Sequence, residues 1–152
     1  MTVHRYTAGC RWHGSTGAGY EAYDRTHSAA APPAEGELRL SSDPAFLGDQ
    51  SLMNPEQMLV AAASSCQLLS FLALAARARV NVVSYEDDAE GVMDDAQEAA
   101  RIDRIVLRPQ IRVAGETSEE RVLKLVEQGH RLCYVANSLS TEIAIEPTVT
   151  VR

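Results

Sequence analysis

From Gln57 to Ala76 the chain runs for twenty residues without a charge, and no other segment restricts its fold as much. As a helix this stretch would measure roughly 30 Å, the thickness of a bilayer core. Gln57, Ser64, Ser65, Gln67 and Ser70 interrupt it, and Ala rather than Leu or Phe fills much of it. That pattern favours a helix apolar on nearly every side because protein covers it on nearly every side. A chain of 152 residues reads as one domain, 1–152, and can hardly surround such a helix alone. A partner subunit is therefore expected, and no membrane.

The surrounding composition suits a packed core, with 45% hydrophobic residues but only 5% aromatic. Fourteen Lys and Arg against 21 Asp and Glu leave a net charge of −7. Duplex nucleic acid and anionic lipid are bound by cationic patches, so neither is an expected partner. Three cysteines are too few for a disulfide scaffold and suit a reducing compartment. Met1 to Tyr6 leads into Gly9 without an apolar run of the kind that opens a secretory signal, so a cytoplasmic location is expected.

The elements read as β-β-β-α-β-β-α-β, an α+β order. Val3 to His13 and Tyr20 to His27 are expected strands joined across Gly14, Gly17 and Gly19 as a hairpin. That glycine segment lacks the lysine and Ser/Thr of a phosphate-binding loop. Ser28 to Pro33 reads as a loop, Glu37 to Ser41 as a third strand, and Asp43 to Met53 as a long polar loop. Asn54-Pro55-Glu56-Gln57 is the clearest local signal: an N-cap, a proline at the first helical position and a capping-box glutamine. The helix it starts should end near Ala78. Val80–Met93 and Ile102–Val113 read as single strands. Thr117 is the expected cap of a second helix ending around Gly129-His130, and Glu142–Val151 reads as a final strand. Asp87, Asp88, Glu90, Asp94 and Asp95 fit no calcium-loop spacing and read as a solvated acidic face.

Taken alone, a cysteine in an apolar helix is more often a buried hydrophobe than a nucleophile. The wider pattern points elsewhere. Asn54-Pro55-Glu56 precedes Cys66 in one helix. Then come Tyr85-Glu86-Asp87, Glu90-Gly91, and His130-x-x-Cys133 leading into Ala136-Asn137-Ser138-Leu139. With Trp12-His13-Gly14 and the Tyr-rich segment ending at His27, this order resembles the OsmC/Ohr family of thiol-dependent peroxidases over nearly the whole chain. The resemblance implies an OsmC-like fold, with antiparallel sheets packed around long central helices in an intertwined homodimer whose active sites lie at the interface.

It also implies roles. Cys66 would be the peroxidatic cysteine, attacking an organic hydroperoxide as a thiolate and becoming a sulfenic acid. Cys133 would resolve it as a disulfide. No cofactor is implied beyond an external dithiol reductant, which in the family's better-studied branch is a lipoylated protein. Glu56 would be the carboxylate that holds a catalytic arginine. Glu56 and Cys66 are ten residues apart, about 15 Å along a straight helix, so Glu56 would serve the Cys66 of a second copy. Without the resemblance, a first-turn carboxylate favoured by the helix dipole accounts for Glu56.

The family's arginine is expected within Pro44-Ala45-Phe46-Leu47-Gly48-Asp49, where Leu47 stands instead. Arg39 and Arg25 are the alternative cations, and both read as exposed strand residues. The lack of a motif arginine supports a second reading: an OsmC-like dimer without efficient chemistry, binding a small ligand or acting as a scaffold. A zinc site on Cys66, His130 and Cys133 is a weaker reading than a His130 that satisfies carbonyls at a helix end. Cys10 matches no functional position.

Overall fold

The computed structural model describes residues 2–96 and 99–152. Its long helix, α1 (Pro55–Arg77), begins as the local sequence dictates. The Gln57 amide donates to Asn54 Oδ1 at 2.8 Å, and the Asn54 amide donates back to Gln57 Oε1 at 3.0 Å. This reciprocal box satisfies amides that a helix start leaves unpaired.

The chain forms two compact units, Met1–Met58 and Leu59–Arg152. In the first, β1 (Gly9–Arg11), β2 (His27–Ala30) and β3 (Leu38–Leu40) make an antiparallel sheet in that order. The expected antiparallel pairing of the first two strands holds, but the strand bounds and the tight glycine turn are corrected. Ser28 to Ala30 lies in a strand, and residues 12–26 form a long connection. Side-chain packing explains why this segment leaves the sheet. Trp12 Nε1 donates to the Asp24 carbonyl at 2.7 Å, and the rings of Trp12, Tyr23 and Tyr20 meet edge to face. After β3, a 3-10 turn at Pro44–Phe46 is capped by Asp43 and closed by Leu47 in a left-handed conformation (φ 62°). Gly48 follows where a Cβ would stand 1.6 Å from the Ser42 carbonyl oxygen, so no larger residue fits.

The second unit holds the rest of α1, two mixed sheets, and the helices α2 (Glu119–Leu132) and α3 (Tyr134–Asn137). Each of three expected strands is in fact two. Val80–Met93 divides into β4 (Asn81–Asp87) and β5 (Glu90–Met93), and Ile102–Val113 into β6 (Ile102–Leu107) and β7 (Pro109–Ala114). Glu142–Val151 divides into β8 (Glu142–Ile145) and β9 (Thr148–Val151). At every break the chain changes sheet, giving the orders β4-β7-β9 and β5-β6-β8. Pro109 and Pro147 fall at two of the breaks, where a missing amide donor is tolerated.

Long-range contacts hold the breaks together. The Arg108 amide donates to Asp87 Oδ1 at 2.6 Å, and the Arg108 guanidinium reaches Glu90 at 3.0 Å and Glu146 at 3.2 Å. β6 with β8 and β7 with β9 pair in parallel, because a helical crossover returns the chain in its starting direction.

Ser118, not Thr117, caps α2: its hydroxyl accepts from the Arg121 amide at 3.2 Å. The apolar core lies along α1. Phe71 and Ala75 pack with Ile111, Val113, Val122 and Val126, while Ala63 packs with Ile102, Ile105 and Leu107. Gly129 lets α2 approach α1, since a Cβ there would lie 3.1 Å from the Phe71 backbone nitrogen.

That packing covers one stripe of α1. Ala63, Gln67, Phe71 and Ala75 are its buried residues, whereas Leu69 is 64% exposed and Leu72 36%. The helix is long and apolar enough to cross a membrane by length and composition. Within one chain the expected all-round covering of α1 is thus only partly met.

Candidate functional site

Cys66 lies on α1 between the two core clusters. It is half-buried and lines a groove of about 560 Å³ with Leu69, Leu74, Leu132, Tyr134 and Val135. Cys133 terminates α2 and begins α3, and only 1% of it is exposed. The α1–α2 contact at Gly129 brings these sequence-distant thiols together.

Backbone amides address both sulfurs. Val135 N–H donates to Cys66 Sγ at 3.5 Å, and Ala136 N–H to Cys133 Sγ at 3.4 Å. The Cys133 thiol is pushed up to about 11, first by burial and then by its hydrogen bond with Cys66. At neutral pH Cys133 therefore keeps its proton. A reagent in the groove meets Cys66, while Cys133 is buried. Both are free thiols, as is the exposed Cys10 on β1.

Glu56 occupies the first turn of α1, and α1 runs unbroken to Cys66, so the axial separation of about 15 Å stands within one chain. Among the described residues no hydrogen bond or ion pair engages the Glu56 carboxylate. Leu47 is half exposed on its loop, and Arg39 is an exposed residue of β3, as its alternation implies.

Arg25 departs from expectation. It lies in no strand and is only 9% exposed. Its guanidinium donates to the carbonyls of Tyr23 (2.8 Å) and Tyr20 (2.7 Å), and it lies 4.0 Å from the Tyr23 ring centre and 4.8 Å from that of Tyr20. Two rings and two carbonyls replace the water a buried cation would otherwise keep. No carboxylate pairs with it among the described residues. It lines a cavity of about 360 Å³ with Trp12, Thr16, His27, Ser41 and Pro55, directly before Glu56 in sequence. The overlooked signal was local: tyrosines two and five residues before an arginine.

His130 is also corrected. Because α2 continues to Leu132, this residue lies inside the last turn. Its carbonyl accepts from the Cys133 amide at 3.1 Å, and its buried Nδ1 has no hydrogen-bond partner among the described residues. No three His, Cys, Asp or Glu side chains among those residues are placed to hold a metal ion.

The solved structures place this arrangement in context. An OsmC-like protein of unknown function from Vibrio cholerae matches with a TM-score of 0.87 and 28% identity, over 96% of this chain and 100% of that one. An organic hydroperoxide resistance protein OsmC from Legionella pneumophila shares the fold, with a TM-score of 0.69 and 15% identity, over 99% and 100%. Among curated proteins, an uncharacterized protein from Methanocaldococcus jannaschii is 28% identical over 65 residues. Those residues make up 43% of this chain and 34% of that protein, so the match spans about a third of the relative's length. A family model described as OsmC-like protein matches residues 48–148, which include Glu56, Cys66 and Cys133. On that match and the shared fold, the chain belongs to the OsmC-like family.

Proposed function

We propose that the protein is a thiol-dependent peroxidase that reduces organic hydroperoxides to alcohols. One observation carries this reading: a half-buried thiol in an apolar groove and a fully buried second thiol are addressed by the neighbouring amides of Val135 and Ala136. The Cys66 thiolate attacks the distal peroxide oxygen, so that an S–O bond forms, the O–O bond breaks, and the alcohol leaves with one proton. The Cys133 sulfur then attacks the Cys66 sulfenic acid, forming a disulfide and releasing water. An external dithiol returns both thiols by exchange.

The working unit is a homodimer paired through the open face of α1, in a reducing, cytoplasmic setting. In it, Glu56 and Arg25 of one copy serve Cys66 of the other. Arg25 is buried and held at both ends of its guanidinium, which suits a fixed cation beside a thiolate and a peroxide. The case for a chain without chemistry rested on Leu47, and a buried arginine elsewhere weakens it. Turnover of cumene hydroperoxide with dithiothreitol as reductant tests the reading. Catalysis lost in Cys66→Ser supports it, and turnover unchanged in that variant overturns it.

A further inference from the structure

Thiolate attack on an alkyl hydroperoxide expels an alkoxide, a base about as strong as hydroxide, so a proton must arrive as the O–O bond breaks. A guanidinium cannot supply it, because it does not give up its proton in proteins. In the cavity around Arg25, the side chain with one nitrogen that can donate and another that can accept a proton is the imidazole of His27.

His27 opens β2, where its backbone pairs with Leu40. Its Nδ1 lies 2.9 Å from the Arg25 carbonyl oxygen. A carbonyl only accepts, so Nδ1 carries the proton and Nε2 is left to take up and release a second one. Arg25 thus acts twice: its carbonyl fixes the imidazole tautomer, while its guanidinium is fixed by Tyr20 and Tyr23. Both side chains line one cavity, where the imidazole would neighbour a peroxide held against the guanidinium.

We propose that His27 Nε2 is the proton shuttle of the peroxide-reducing step. It takes the proton of the Cys66 thiol of the second copy, giving thiolate and imidazolium. It returns that proton to the alkoxide as the S–O bond forms and the O–O bond breaks. The sum is thiol plus hydroperoxide giving sulfenic acid plus alcohol, with the imidazole unchanged. This inference rests on the peroxidase reading and adds to it the acid that protonates the leaving group.

The test varies the leaving group. A peracid expels a carboxylate, which needs no proton. In His27→Gln both oxidants lose the base that forms the thiolate, but cumene hydroperoxide also loses the acid for its leaving group, so its oxidation of Cys66 is expected to slow by about a hundredfold or more beyond the slowing seen with peracetic acid. An equal loss with both oxidants, or no loss with either, overturns the shuttle. Wild-type Cys66 unreactive toward both overturns the peroxidase reading itself. A second measurement needs no variant: across alkyl hydroperoxides of differing alcohol acidity, the wild-type rate should depend only weakly on that acidity. A steep dependence contradicts proton delivery by the protein.

Discussion

The Val135 amide donates to the sulfur of Cys66 at 3.5 Å, across sixty-nine positions of sequence. The contact ties the chain just beyond α2 to the middle of α1 and seats Cys133 behind the thiol that faces the groove. An accessible thiol in front of a buried one has consequences that thiol chemistry can read.

The first concerns pH. Burial and the hydrogen bond with Cys66 raise Cys133 from about 9 to about 11. Iodoacetamide is therefore expected to label Cys66 before Cys133, and to leave Cys133 largely unlabelled until the pH approaches 11, as peptide mass spectrometry would record. The same shift bears on stability. The folded state holds its proton more tightly than the unfolded state, so this contribution is complete below pH 9 and is lost as pH rises through 11. Cys133→Ala should flatten that part of the alkaline unfolding profile; an unchanged profile contradicts the assignment.

Gly129 sets the approach of α2 to α1. In Gly129→Ala the new methyl would lie 3.1 Å from the Phe71 nitrogen and 3.2 Å from its Cα, and backbone yields less easily than a flexible side chain. A loss of about 1–3 kcal/mol is expected in chemical denaturation. Formation of the Cys66–Cys133 disulfide should slow with it.

Arg25 is expected to matter and position 47 is not. Arg25→Lys keeps the charge but cannot bond both tyrosine carbonyls while lying across both rings. It should lower the rate of Cys66 oxidation by about a hundredfold, the scale seen when one fixed electrostatic donor is removed. Leu47→Arg adds a cation on an exposed left-handed turn residue and should leave the rate unchanged. Stopped-flow oxidation kinetics compare the two, and a gain from Leu47→Arg would reverse the assignment.

The uncovered face of α1 predicts self-association. Leu69→Glu places a charge on the exposed apolar side of the helix. Sedimentation velocity should show a dimer for the wild-type chain and a monomer for this variant. A wild-type monomer would refute the pairing.

Local signals were the ones legible in the sequence. Asn54, Pro55 and Gln57 marked the start of α1 because a capping box is completed within four residues. The two thiols stood out through a family pattern of spacing. The strand breaks did not, because Arg108 turns the chain through partners at Asp87 and Glu146, 21 and 38 residues away. Arg25 was missed for a related reason: alternation along a strand places it in solvent, and only the folded connection of residues 12–26 shows the rings and carbonyls that bury it.

The most direct test of the central claim is a thiol count after one equivalent of cumene hydroperoxide is added to the reduced protein. Two thiols per chain should disappear, and peptide mass spectrometry should find Cys66 joined to Cys133, with Cys10 still free. Cys66 and Cys133 both remaining as thiols after prolonged exposure would contradict the account.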